Sequence, residues 1–181
     1  MYKYHRGYTL IELLIVIAIM LLVIGGSIAG WLKFSEKQTT LSSAQTLQKM
    51  VRSAQVKARA KQWPSECING GTKIPVIGYR VSSSVANGIT TIALTGFCNP
   101  TKTTYDTASN KVIVSTWQMP ATISLSNSFK FDFYTMAGGV SLNTANSLET
   151  VLIKNNLNTS CASFSVSSGG AITDAVKVAC P

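Results

Sequence analysis

Histidine and acidic side chains are scarce in this 181-residue chain. It has one histidine, His5, and seven aspartates and glutamates against 16 lysines and arginines. The acids stand singly, with no closely spaced pair of carboxylates. A single histidine, five residues from the amino terminus, and scattered acids disfavour a histidine-based triad, a histidine general base and a Cys/His zinc site. We therefore expect a protein that is not an enzyme and that holds no cofactor or metal.

Charge is also absent from one long run near the amino terminus. Leu13 to Leu32 is uncharged and mostly apolar, and this run follows a single acid, Glu12. A helix of that length crosses the roughly 30 Å hydrocarbon core of a bilayer. Lys3 and Arg6 precede it, which favours a cytoplasmic amino terminus. No A-x-A-like cleavage site follows the run, so an ordinary secretory signal is disfavoured. Because a carboxylate costs free energy in lipid, Glu12 indicates a partner.

The residues around this acid resemble a known processing motif. Gly7-Tyr8-Thr9-Leu10-Ile11-Glu12-Leu13-Leu14 is similar to the class III leader of type IV prepilins and type II secretion pseudopilins. The resemblance implies that prepilin peptidase cuts between Gly7 and Tyr8 and methylates the new amine of Tyr8. It also implies that Glu12 of one subunit pairs with the Tyr8 amine of its neighbour. The family more often has Phe where this chain has Tyr8. The alternative is a signal anchor with a stray glutamate.

The same resemblance implies the partners and the location of the protein. It implies a homo- or heteropolymer with other pilins, served by prepilin peptidase, an inner-membrane assembly platform and an ATPase. The subunit would cross the cytoplasmic membrane once, amino terminus inside, before joining an extracellular pilus or a periplasmic pseudopilus. The main alternative is a low-copy minor pseudopilin of type II secretion or competence.

The apolar pattern predicts a helix that continues past the hydrophobic run. We expect a leader over residues 1–7, a membrane and filament-core helix over 8–32, and an amphipathic helix over 33–63. Trp63-Pro64 ends this pattern because the residue before proline avoids helical angles. Steps of three and four residues draw one apolar stripe along the amphipathic part. The stripe consists of Leu41, Ala44, Leu47, Val51, Ala54 and Ala58.

Residues 64–181 change in composition to Ser, Thr, Asn, Gly, Val and Ile, and predict a β-rich head. Asn87-Gly88 and Ser168-Gly169-Gly170 are typical of tight turns between strands. The fold class is therefore α+β, a long helix whose amphipathic half packs on an antiparallel sheet. The expected strands cover residues 73–81, 88–95, 111–117, 122–126, 129–133, 150–154, 162–167 and 171–179.

Four cysteines follow the apolar run: Cys67, Cys98, Cys161 and Cys180. None belongs to a Cys-x-x-Cys pair, which disfavours metal binding. An even number beyond a membrane segment favours two disulfides over free buried thiols. Three pairings are possible. We favour Cys67–Cys98 and Cys161–Cys180, because each pair is close in sequence and flanks strand-like segments.

A fainter resemblance concerns the second half of the chain. The order of features is similar to that of FimT/GspH-type minor pilins and pseudopilins. These features are Gly138-Gly139 between two strands, a Ser-rich linker and Phe164–Gly170. The helices of these proteins commonly carry an Ala-rich stripe that ends in a basic stretch, as Arg52–Lys61 does. Gly-turn hairpins are common in all β-rich regions, so this pattern leaves the choice between the subfamily and the rest of the family open.

The chain is basic, with a formal charge of +9. Without Met1–Gly7 it keeps 14 basic against 7 acidic side chains, a charge of +7. Five basic residues crowd the end of the amphipathic helix. A solvated helix face is the preferred interpretation, and contacts to DNA or another anion are the alternative, since some pili and minor pilins bind DNA. The five are Lys49, Arg52, Lys57, Arg59 and Lys61.

Overall fold

The computed structural model describes residues 9–62, 64, 67–69, 71–99, 110–135, 140–142 and 147–181. It confirms the α+β class: one long helix precedes a set of antiparallel strands. Gly7, Tyr8, Trp63 and Gly138-Gly139 lie outside the described residues. The elements are α1 (Leu10–Arg59), β1 (Ile68–Asn69), β2 (Thr72–Lys73), β3 (Val76–Ala86), β4 (Ile89–Cys98), β5 (Asn110–Gln118), β6 (Ile123–Leu125), β7 (Lys130–Tyr134), β8 (Val140–Ser141), β9 (Leu148–Asn155), β10 (Cys161–Ser167) and β11 (Val176–Val178).

Helix α1 ends at Arg59, short of the boundary expected at Trp63. Lys61 adopts a left-handed conformation with φ 48°. Its N–H donates to the carbonyl of Ala58 at 3.1 Å, and the N–H of Gln62 donates to the carbonyl of Lys57 at 3.0 Å. These two bonds form a Schellman motif, which satisfies the last helical carbonyls. The local cap, rather than the following proline, therefore ends the helix.

The chain divides into two compact units between Gln38 and Thr39. In the amino-terminal unit, every residue whose side chain is described is exposed. In the carboxy-terminal unit, from Thr39 onward, the sheets and the end of α1 share one hydrophobic core.

The carboxy-terminal unit holds three antiparallel sheets within its described part. The larger two have the strand orders β5-β4-β3-β7-β8 and β11-β10-β9-β6, and β1 pairs with β2 alone. A tight turn joins β3 to β4, with positive φ at both Asn87 (51°) and Gly88 (75°). That conformation is the type I′ turn that an Asn-Gly pair favours. The turn fixes the register of the longest hairpin.

The apolar stripe of α1 packs into the core as the sequence predicts. Ala44, Leu47, Val51, Ala54 and Ala58 are buried, while Leu41 is partly buried. Tyr79 and Phe131 from one sheet and Phe164 from the other belong to the same cluster. Full burial of a side chain such as Leu47 or Val51 contributes about 1.5–3 kcal/mol. Small alanines between them let the helix backbone approach the strands.

Most expected strands shift by one to three residues at an end, and two depart further from their expected bounds. β3 covers Val76–Ala86 rather than 73–81, since pairing with β4 continues through a Ser-rich stretch that carries no apolar alternation. The strand expected over 171–179 is reduced to β11, at Val176–Val178, and a single bridge at Ile172. The carbonyls of Gly170 and Thr173 instead accept hydrogen bonds from side chains of α1.

Candidate functional site

The first candidate site is the apolar surface of α1 in the amino-terminal unit, most of which lies between Leu10 and Ile24. Leucine, isoleucine, valine and methionine side chains from Leu10 to Ile24 are exposed on every side of the helix, and so are Trp31, Leu32 and Phe34. A helix that is apolar all round is stable in lipid or when surrounded by other helices. By length and composition, α1 qualifies as a membrane-crossing helix. A surface of this kind is typical of a helix that is covered by lipid or by other helices.

Thr9 and Glu12 form the start of this helix. The backbone N–H of Glu12 donates to Thr9 Oγ1 at 3.3 Å, and the N–H of Leu13 donates to the Thr9 carbonyl at 3.2 Å. Thr9 is therefore the N-cap, and Thr9-x-x-Glu12 has the spacing of a capping box. The carboxylate of Glu12 also lies in the first turn, where the helix dipole favours negative charge. Part of the cost of an acid at this position is thus offset within one chain.

Sequence reasoning missed Thr9. The four-residue pattern of threonine, two apolar residues and glutamate before an apolar run is a recognised helix start, and would have identified it. Gly7 and Tyr8, the two residues expected at the processing bond, lie outside the described residues. The proposed pairing of Glu12 with an amine of a second copy therefore stays a prediction.

The four cysteines form two disulfides in the carboxy-terminal unit. Cys67 is joined to Cys98, with their Cα atoms 5.9 Å apart, and Cys161 is joined to Cys180 at 5.2 Å. Cys67 and Cys98 are 2% and 1% exposed. Cys180 is partly exposed. One bridge therefore lies in the core, and the other reaches the surface at the end of the chain.

The structure brings together three of the five candidate anion contacts. Lys49, Arg52 and Arg59 lie on one exposed stripe of α1, at steps of three and seven residues. Arg52 is ion-paired with Asp174 at 2.7 Å. Lys57 is half-buried beside the stripe and donates to Gln62 Oε1, and Lys61 follows the helix end. We call the stripe of Lys49, Arg52 and Arg59 the basic ridge.

Comparison with known proteins identifies the amino-terminal segment. Residues 2–28 match the model of the prokaryotic N-terminal methylation motif. No curated protein and no solved structure matches the chain significantly. The matched stretch contains Gly7, Tyr8 and Glu12 and most of the apolar run, which fits membrane anchoring before assembly. Over residues 2–28 the chain therefore carries the signature of type IV prepilins and pseudopilins.

Proposed function

We propose that this protein is a structural subunit of a type IV pilin-like or pseudopilin filament. In this proposal, prepilin peptidase removes residues 1–7 and methylates Tyr8. The subunit then remains anchored in the cytoplasmic membrane until an assembly platform and its ATPase move it into the filament. The filament is an extracellular pilus or a periplasmic pseudopilus.

The observation that carries this proposal is the apolar surface of α1. Exposing nearly all of these apolar side chains to water costs free energy, because burial of each large side chain contributes about 1.5–3 kcal/mol. Lipid covers that surface in the membrane, and the helices of other subunits cover it in a filament. One helix thus serves both states without a change of fold.

Glu12 makes the contact between neighbouring helices specific, because the surface around it is otherwise apolar. Apolar helices slide past one another with little preference, whereas one carboxylate among them has few favourable positions. The methylated amine of Tyr8 stays cationic, so it can compensate Glu12 of a neighbouring copy. Such a pair fixes the register between helices, because a slipped arrangement leaves two charges unpaired in an apolar setting.

Amino-terminal mass spectrometry of the protein from its host membrane tests the proposal. The expected mature peptide begins with methylated Tyr8. Gly7→Leu should leave the leader attached, whereas Gly25→Leu should not, because a Cβ added at Gly25 meets no atom within 4 Å. A mature chain that begins at Met1, or one cut beyond the apolar run, would refute the proposal.

A minor pseudopilin of type II secretion or competence is the alternative within the same family. The fainter resemblance to FimT/GspH-type proteins over the second half of the chain supports it. Quantitative mass spectrometry of sheared surface filaments separates the two roles. A major pilin dominates those filaments, and a minor subunit is present at a few copies for each filament.

DNA binding is a second candidate function, favoured by the basic ridge on α1. Lys49 and Arg59 lie on the same exposed stripe, and the acids Asp132 and Asp174 are both ion-paired to arginines. Excess positive charge of this kind attracts phosphates. The proposal places duplex DNA along the stripe, with Lys49, Arg52 and Arg59 as its contacts.

Binding of duplex DNA as a function of salt tests this second candidate. The double variant Lys49→Ala/Arg59→Ala should lower the slope of log affinity against log salt by about 2. The matched control Lys154→Ala/Lys177→Ala removes the same charge from β9 and β11 and should change the slope less. Equal slopes for the two double variants, or no binding at low salt, would eliminate the ridge as a DNA site.

A further inference from the structure

The last residues of the chain form a segment that lies against α1, which we call the clasp (residues 168–181). It leaves β10 through a turn in which the Gly170 N–H donates to the Ser167 carbonyl at 2.9 Å. Gly170 has φ 85°, a conformation that glycine adopts at little cost. The clasp then returns along β10, through a bridge between Val166 and Ile172 and then as β11, which pairs with Cys161–Ser163.

Three polar side chains of α1 hold the clasp. Gln48 Nε2 donates to the Thr173 carbonyl at 2.5 Å and to Asp174 Oδ1 at 3.2 Å. Gln55 Nε2 donates to the Gly170 carbonyl at 2.5 Å. Arg52 binds Asp174 at 2.7 Å. Because residues 48, 52 and 55 lie on one side of a helix, they bind successive points of a single extended segment.

These contacts differ from those that hold the rest of the unit. Water replaces amide-to-carbonyl hydrogen bonds when a segment moves away, so opening costs less than exposing apolar core. The Arg52–Asp174 pair is exposed and adds little. Ile172 and Ala175 are only partly buried, and all of β11 is exposed. The clasp also bonds to β10 through its backbone, since the Thr173 N–H donates to the Ser165 carbonyl and the Ser167 N–H donates to the Ala171 carbonyl. The noncovalent contacts of the clasp are therefore mostly hydrogen bonds, which water can replace when the clasp opens.

A covalent bond closes the clasp instead. Cys161–Cys180 ties the end of the clasp to the start of β10, across a sequence separation of 19 residues. Cys161 is buried, but Cys180 is partly exposed next to the last residue. Cys67–Cys98 is buried at both ends. Of the two disulfides, Cys161–Cys180 is therefore the more accessible to a thiolate in solution.

We propose that Cys161–Cys180 is a redox-sensitive latch, and that a dithiol opens the clasp while the core of the unit stays folded. A thiolate of the dithiol attacks Cys180 Sγ, and Cys161 leaves as a thiolate. The second thiol of the dithiol then attacks the mixed disulfide and frees Cys180. The dithiol is oxidised to a disulfide, and two cysteine thiols are formed after protonation. This latch does not depend on the filament role proposed above.

Opening the latch uncovers two specific surfaces. The backbone edge of β10 at Cys161–Ser163 loses its only described partner strand on that side, β11. The amide of Gln48, which is buried beneath the clasp, becomes open to water. An unpaired strand edge is prone to add a further strand. The reduced state is therefore a more adhesive form of the same subunit.

Stepwise reduction of the full chain in detergent micelles tests the proposal. Dithiothreitol is the reductant, and alkylated peptides are mapped by mass spectrometry. Cys161 and Cys180 should be alkylated at concentrations that leave Cys67 and Cys98 intact. Under those conditions, hydrogen exchange in residues 170–180 should rise on the order of 100-fold, since closure of a loop of this size accounts for that factor. Exchange in β3 and β4 should not change.

Two variants sharpen the result. Cys161→Ser/Cys180→Ser should reproduce fast exchange in the clasp without reductant. Gln48→Met, which keeps the disulfide but loses the amide donors, should raise exchange near Thr173 severalfold. Simultaneous reduction of both disulfides, or unchanged exchange in the clasp after selective reduction, would overturn the proposal. If the double serine variant does not fold, reduction of the wild-type protein still decides between these outcomes.

Discussion

At the scale of single residues, Tyr79 joins the core to the end of α1. Its ring is buried, and its hydroxyl donates to the Gln62 carbonyl. Burial raises the pKa of Tyr79 above its usual value of 10.0. The folded state therefore favours the neutral phenol, so this contribution to stability is complete below pH 10 and is lost as the pH rises through the folded pKa.

Tyr79→Phe should lower the free energy of unfolding by about 1 kcal/mol at pH 7, because one hydrogen bond is lost. It should also reduce the loss of stability above about pH 10. Denaturant unfolding of both proteins between about pH 7 and pH 11 measures the two effects. Identical pH profiles would show that the ionisation of Tyr79 is not linked to folding.

Arg80 and Asp132 form the other informative contact at this scale. Both carboxylate oxygens accept from the Arg80 guanidinium, at 2.6 and 2.8 Å, and the guanidinium lies 4.8 Å from the centre of the Phe97 ring. The two side chains are 22% and 6% exposed. They lie directly opposite in β3 and β7. A slip of one residue would separate them, so the pair helps to specify the register.

Asp132→Asn should cost about 3 kcal/mol, because it leaves a largely buried guanidinium without its countercharge. The Arg52–Asp174 pair is the matched control. Its side chains are 49% and 82% exposed, so Asp174→Asn should cost less than about 1 kcal/mol. Urea unfolding of the two variants gives the comparison. Similar losses for both would mean that burial does not decide the strength of these pairs.

At the scale of secondary-structure elements, the end of α1 predicts a substitution that raises the stability of the protein. Lys61 has φ 48°, and a side chain with a Cβ adopts this conformation at a cost of roughly 1 kcal/mol. Lys61→Gly should therefore stabilise the protein by about 1 kcal/mol. Lys61→Ala, which keeps the Cβ, should leave stability nearly unchanged. Thermal unfolding measures both variants, and a destabilised Lys61→Gly would contradict the cap.

The elements also show where the sequence is a sufficient guide. Apolar residues spaced three and four positions apart predict the buried stripe of α1, because a helix repeats every 3.6 residues. Asn87-Gly88 predicts its turn for an equally local reason. The extension of β3 through Ser82–Ala86 has no such signal, since its cause is pairing with β4. The two-residue strand β8 is too short to show any period.

At the scale of the whole molecule, strand order was beyond sequence reasoning. The arrangement β5-β4-β3-β7-β8 places β7 beside β3, although β4, β5 and β6 lie between them in the chain. Long-range pairing of this kind depends on which apolar faces meet, and many arrangements satisfy the same alternation. The Arg80–Asp132 pair was hidden for the same reason. By contrast, the processing motif is local, so the sequence alone was enough to indicate it.

The two units differ in properties in a way that suits the proposed passage of the subunit from the membrane to the filament. The amino-terminal unit exposes apolar side chains and one acid at the start of its helix, whereas the carboxy-terminal unit has its own core and two disulfides. A unit with its own core keeps its fold when the surroundings of the apolar helix change from lipid to protein. In the assembly proposed above, the register between subunits then depends on what Glu12 contacts.

Filament assembly by Glu12→Gln subunits tests this central claim most directly. Glutamine keeps the length of the side chain and its capacity to complete a capping box with Thr9, but it has no charge for a neighbouring amine. The measurement is the amount of subunit in sheared filaments relative to processed subunit in the membrane. We predict normal processing and a fall in filaments of about tenfold or more, because a desolvated charge pair is lost. Processed Glu12→Gln subunits that assemble as well as the parent protein would contradict the account.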